Sequence, residues 1–185
     1  MGWLLPVGIP GGVNSGLDGI PDGSGIIRSG DKLIHLDLSL YRLWRTAAAA
    51  PQAGELISWA TAHGITNAAE GIQALADAEL LLEEGPEIEQ RVGRLSLRLL
   101  GECVGNGTEV SPMFLVLGRN NARLHVDACL FRILILCDRL RPISIVCEAV
   151  DASRPRDGAP CIEALTARLP MLVRNEVIQL EATVR

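Results

Sequence analysis

Aromatic rings are scarce in this chain: three Trp, two Phe and one Tyr among 185 residues. That leaves little to stack on nucleotide bases. Basic residues are in the minority, 17 Lys and Arg against 22 Asp and Glu for a formal net charge of −5, so wholesale neutralisation of phosphates is excluded and only a local basic face remains open. Long apolar runs are missing too. The greasiest stretch, Leu130 to Cys137, is interrupted by Arg132 and closed by Asp138-Arg139, too short to span a bilayer. The start, Met1-Gly2-Trp3-Leu4-Leu5-Pro6, has neither a charged opening nor an extended apolar segment, so no signal peptide or membrane anchor is expected. Cysteine is absent from the first half. The five in the second half (Cys103, Cys129, Cys137, Cys147, Cys161) are odd in number and never at C-x-x-C spacing. Their apolar settings, as in Cys129-Leu130-Phe131, predict reduced core thiols and hence a cytoplasmic protein.

The usual site motifs are equally thin. Gly8 to Gly16 is glycine-rich but has neither a Gly-Lys-Ser/Thr ending nor Gly-x-Gly-x-x-Gly spacing, and Asp18 and Asp22 are separated by Gly19, Ile20 and Pro21 rather than by calcium ligands. These segments, with the weaker echo at Gly101 to Gly107, read as turns. His35 and His125 each precede an aspartate by two residues, but His-x-Asp alone supplies too few ligands for zinc. No nucleophile, base and orienting group can be assembled, so neither catalysis, metal nor cofactor is expected.

What is present is a repeat. His35-Leu36-Asp37-Leu38-Ser39-Leu40-Tyr41-Arg42-Leu43 matches His125-Val126-Asp127-Ala128-Cys129-Leu130-Phe131-Arg132-Ile133 at His, Asp, Leu and Arg, an offset of 90 (125 − 35). The same offset aligns Ile72-Gln73-Ala74-Leu75 with Ile162-Glu163-Ala164-Leu165, implying no net insertion between. A period this long fits two small domains, 1–88 and 89–185, divided near Glu87 to Gly93.

Within the first copy, Trp3 to Ile9 reads as a strand and Pro10 to Ser24 as a loop of turn residues. Ile26-Ile27-Arg28 and Leu33 to Leu36 form a hairpin about Ser29-Gly30-Asp31, in which Ile34 and Leu36 point inward and Leu33 and His35 to the other face. Asp37 caps a helix whose apolar face is Leu40, Leu43, Trp44 and Ala47. Pro51 opens a second helix that stops at Gly64, and Asn67 with Glu70 resembles a capping box for a third, ending near Glu79. Leu80-Leu81-Leu82 is an exit strand, and Arg94 to Leu100 alternates as a strand. The second copy repeats the order with strands at Met113 to Leu117 and Ala122 to Val126, a helix over Ala128 to Leu140, another after Pro142, a loop over Arg154 to Pro160, a third helix that Pro170 cuts short, and a strand from Val177 to Val184. Leu134-Ile135-Leu136 makes its first helix apolar all round, a surplus assigned to a contact between repeats or a dimer seam.

Strands followed by three helices and a β exit is the order of the winged helix-turn-helix family, which this chain resembles over nearly its whole length as an α+β protein of two tandem winged-helix-like repeats, each with a small antiparallel sheet and three helices. Ile34-His35-Leu36-Asp37, the helix with Tyr41 and Leu43-Trp44, then Glu55-Leu56 and Leu75 with Leu80-Leu81 are similar to the peptide-recognition variant, represented by the chaperone of pyrroloquinoline quinone biosynthesis. That resemblance implies capture of a leader peptide from a natural-product pathway, as an added strand next to the third helix. Strand addition needs an exposed edge and tolerates an acidic surface. Leu33, His35, Gln73 and Asp77 are the residues expected to bind, with the first repeat the reader because its third helix is intact; the alternative for Leu33 is packing beneath the N-terminal strand. DNA is disfavoured, since the third helix offers Asn67, Glu70, Gln73, Asp77 and Glu79, although Arg154, Arg156 and Arg168 gather around its counterpart. A structural assembly subunit is the third reading. The expected partner is a peptide or protein segment, with no membrane and with a second copy of the chain as homodimer.

Overall fold

A computed structural model of the protein describes residues 2–13, 23–105, 113–137, 140–154 and 158–183. The chain is α+β and divides into two units, Met1–Gly85 and Pro86–Thr183. Unit 1 runs β1 (Leu4–Pro6), β2 (Ile9–Val13), β3 (Gly25–Ser29), β4 (Lys32–Leu36), α1 (Leu38–Thr46), α2 (Ala53–Ala62), α3 (Ala68–Asp77) and β5 (Leu81–Glu83). Unit 2 begins with α4 (Ile88–Gly93), which spans the division expected from sequence. It continues through β6 (Leu95–Leu99), β7 (Glu102–Gly105), β8 (Phe114–Leu117), β9 (Arg123–Val126), α5 (Ala128–Leu136), α6 (Ile143–Ala152), α7 (Cys161–Arg174) and β10 (Ile178–Ala182). In each unit the first and last strands pair antiparallel, β1 with β5 and β6 with β10. Three others form an antiparallel meander, β2-β3-β4 and β7-β8-β9.

Local chemistry explains most of this. Gly30, at φ 62, closes the two-residue turn that pairs Ser29 with Lys32. Ile34 and Leu36 pack against a core of Leu4, Ile27, Tyr41, Leu43, Trp44 and Leu75, while Leu33 and His35 are exposed. The Asp37 carboxylate accepts from the Leu40 amide at 2.9 Å, and Asp127 accepts from Leu130 at 2.8 Å, so both aspartates of the repeated motif cap helices. α2 stops at Gly64, φ 77. α3 and α7 end alike, with Glu79 (φ 58) and Glu176 (φ 51) left-handed and the Leu80 and Val177 amides reaching back to the Leu75 and Leu172 carbonyls, each at 2.9 Å.

Several expectations are corrected. β2 occupies Ile9–Val13, where turn residues argued for a loop, because β3 supplies its hydrogen bonds across a bulge between Pro10 and Gly12. β7 repeats the device with a bulge between Cys103 and Gly105, so the Gly101 echo opens a strand. The Asn67 side chain makes no cap hydrogen bond, so the capping box does not form. α5 ends at Leu136, short of Leu140. Residues 14–22, with Asp18 and Asp22, the end of the echo at Asn106-Gly107, Asp138-Arg139 and Arg156 lie outside the described residues.

The largest correction concerns α7. It spans 14 residues with Pro170 inside it, against 10 for α3, so the second copy has the longer third helix and the reason given for preferring the first copy as reader falls away. Proline in a helix costs about 3 kcal/mol, but Cys161, Leu165, Leu169, Leu172 and Val173 are all buried on this helix, and burying each large apolar side chain contributes about 1.5–3 kcal/mol, so packing overrides the break. The shared turn aligns Leu75 with Leu172 (172 − 75 = 97), seven more than the repeat offset. A connection three residues longer and a helix four residues longer account for it. The match of Leu75 to Leu165 at offset 90 is therefore two helical turns out of place, which returns to the same face and so escapes notice.

The cysteines differ as well. Cys129 on α5 and Cys161 at the start of α7 are joined in a disulfide with Cα atoms 6.5 Å apart, whereas Cys103, Cys137 and Cys147 are not disulfide-bonded. Thirty-two residues separate the pair in sequence, and only the packing of α5 on α7 brings them together.

Candidate functional site

β4 is an edge of its sheet, registered on β3 through Gly25↔Leu36, Ile26↔His35, Ile27↔Ile34, Arg28↔Leu33 and Ser29↔Lys32. Its inward residues are fixed by the core and its outward ones are not. Leu33 is 66% exposed, a large apolar group on the face away from the core. The matching edge in unit 2, β9, carries Arg123 at that position and keeps His125 exposed (123 − 33 = 90).

Gln73 and Asp77 lie one turn apart on the exposed face of α3, where the Gln73 amide donates to the Asp77 carboxylate at 2.8 Å. The four residues are thus two pairs, one on β4 and one on α3. α1 packs against β3 and β4, while α3 packs on α1, α2 and β5. α1 therefore lies next to the edge strand, and the expected place for the third helix is corrected to that extent.

A second cluster lies in unit 2. The Arg154 guanidinium Nη1 donates to Cys129 Sγ at 3.1 Å, to Cys161 Sγ at 2.8 Å and to Asp151 Oδ1 at 3.3 Å. Both Asp151 oxygens accept from the Cys161 amide at 3.2 Å, capping α7 from the neighbouring helix because its own N-cap, Pro160, has no side chain able to do so. Arg154 is therefore occupied and no longer a free member of the basic group proposed around this helix. Sequence reasoning missed the cluster because its members belong to three elements and none stands at a recognisable spacing. One signal was available: at the repeat offset of 90 the two cysteines stand opposite Ser39 and Gly71, so both are departures from the repeat, and the observed helix starts pair Cys161 with Ala68 instead.

Nearby, the Cys147 thiol is pushed up to about 12, first by burial and then by the carboxylates of Asp151 and Glu148. Burial also raises the Cys103 thiol. Among the described residues no group of three or more His, Cys, Asp or Glu is arranged to hold a metal ion, and no helix is long and apolar enough to cross a membrane. No protein-family model, curated protein or solved structure matches the chain.

Proposed function

We propose that this protein is a non-enzymatic binding module that captures a peptide or protein segment by strand addition along the outer edge of β4. The observation that carries this reading is Leu33: an apolar side chain, 66% exposed, on an edge strand. An added strand would satisfy the edge backbone, and Leu33 with His35 would meet alternate side chains of the guest. The net charge of −5 suits a basic guest. Gln73 and Asp77, paired with each other on α3, stand apart from this edge and take no part in this reading. The tandem winged-helix reading of the two units and the leader-peptide guest rest on the resemblance stated above, and the cytoplasmic setting on the expectation of reduced thiols. The setting has lost one support, since two of the five cysteines are joined. DNA is the weaker reading, because Glu70, Asp77 and Glu79 are exposed on or just beyond α3 and Arg154 is engaged by Asp151.

Homodimerisation draws support from unit 2. Ile135, Leu136, Leu140 and Ile145 are each at least 43% exposed, whereas the positions ninety residues earlier hold Arg45, Thr46, Ala50 and Glu55. A second copy laid on this surface would cover them. Ile145→Glu should then yield monomers in sedimentation. Wild-type protein that sediments as a monomer at high concentration would end the dimer proposal.

Strand addition is tested by selecting peptides from a random library on the intact protein and measuring their affinity for variants. Leu33→Asp should weaken the selected peptides by at least tenfold, while Arg123→Asp leaves them unchanged. Selected peptides that bind Leu33→Asp as tightly as the parent, with both proteins folded, would contradict the reading.

A further inference from the structure

The two joined cysteines sit in a setting that does more than cross-link helices. Cys129 is half-buried on α5, whereas Cys161 is completely buried at the first position of the 14-residue α7. The Arg154 guanidinium touches both sulfurs, at 3.1 and 2.8 Å, and is itself oriented by Asp151. A permanent structural disulfide needs no cation beside it, because neither sulfur carries charge. A pair that passes through the thiolate does. An adjacent arginine and a helix N-terminus are the features that favour a thiolate over a thiol, and Cys161 has both. The carboxylate that would oppose this, Asp151, is already taken up by the Arg154 guanidinium and the Cys161 amide.

We propose that Cys129, Cys161 and Arg154 form a reversible thiol–disulfide site that exchanges with low-molecular-weight disulfides and thiols. The burial difference assigns the roles. In the reduced protein the more accessible Cys129 thiolate attacks one sulfur of the small disulfide, forming a mixed disulfide and expelling one small thiolate. The Cys161 thiolate, held beside Arg154, then attacks the Cys129 sulfur and expels the second small thiolate. Two electrons pass from the protein dithiol to the small disulfide, and the two protein protons end on the two released thiols. The reverse reaction opens the pair. Arg154 is a positioning residue that keeps both sulfurs beside one positive charge. Cys103 and Cys147 lie outside this chemistry, because burial raises both thiols.

The test uses the full chain equilibrated with graded mixtures of reduced and oxidised glutathione, quenched by rapid alkylation and read by peptide mass spectrometry. Cys129 and Cys161 should oxidise together as a two-electron pair while Cys103, Cys137 and Cys147 remain alkylated. Cys161→Ser should accumulate glutathione on Cys129. Arg154→Gln should slow the reaction of the reduced protein with oxidised glutathione by about tenfold, and Arg154→Lys should restore most of the rate. A pair that stays oxidised in the folded protein under excess reduced glutathione overturns the proposal, as does an Arg154→Gln rate equal to the parent's. Should Cys161→Ser fail to fold, the Arg154 comparison still decides.

Discussion

Where the first helix meets the middle strand of the meander, unit 1 has a glycine and unit 2 a phenylalanine. A Cβ on Gly25 would run into the Tyr41 ring, so the helix lies directly on the strand backbone. At the matching positions Phe114 and Phe131 stack face to face, with centroids 4.4 Å apart and planes 19° from parallel. Both solutions keep the strand register, the aspartate cap and the left-handed turn into the last strand. The frame is thus held by backbone devices that the copies share, while side chains on that frame have diverged. Leu33 on the unit 1 edge became Arg123 on the unit 2 edge, and Ser39 and Ala68 correspond to the joined Cys129 and Cys161. The copies therefore differ in what they carry: an apolar edge on one, a sulfur cluster on the other.

The largest effect that would separate the copies is reduction of Cys129–Cys161. Closing a loop over a sequence separation of 32 restricts the unfolded chain enough to contribute about 3–4 kcal/mol. Amide hydrogen exchange should show unit 2 losing protection on reduction while β1 to β5 keep theirs. Equal losses in both units would break the comparison. Next in size is Gly25→Ala, which forces the Tyr41 ring aside and should destabilise unit 1 by about 1–3 kcal/mol in denaturant unfolding. A neutral result would mean that α1 moves off its strand at no cost.

A smaller and symmetric effect is expected at the shared turn. Glu79 and Glu176 hold φ values of 58 and 51, a region where side chains cost about 1–2 kcal/mol. Replacing either with glycine should stabilise its own unit by roughly 1 kcal/mol, read as a rise in unfolding midpoint. Opposite signs in the two units would show that the turns are not equivalent. The smallest effect under ordinary conditions belongs to Cys147. Because its thiol is raised in the folded protein from the ordinary 9.0 to about 12, the contribution to stability is full below pH 9.0 and is lost as the pH rises toward 12. Cys147→Ala should flatten that alkaline decline in unfolding titrations, whereas the matching change in unit 1, Ile57→Ala, should leave it in place.

Features with local causes were legible in the sequence. Alternation around Ser29-Gly30-Asp31 identified β3 and β4, and Asp37 and Asp127 stood where helix caps belong. Period two also put Leu33 on the face away from Ile34 and Leu36, though not its exposure. Features caused by distant partners were not legible. β2 is a strand because β3 pairs with it despite glycine and proline, α7 continues through Pro170 because its apolar face is buried, and Cys129 meets Cys161 only through helix packing. The two-turn slip between Leu165 and Leu172 shows why helical repeats hide insertions: seven residues restore the face, so an amphipathic pattern cannot report them. Of the candidate site, the strand and the face of the β4 pair were legible, but the exposure of Leu33 and the helix that packs beside the strand were not.

The most direct test compares the two edges in one experiment, by amide hydrogen exchange of the full chain with and without a peptide selected on it. Strand addition to unit 1 should protect the amides of Lys32–Leu36 and leave those of Arg123–Val126 unchanged. Protection confined to β9, or spread over helices with β4 unaffected, would contradict capture along the Leu33 edge.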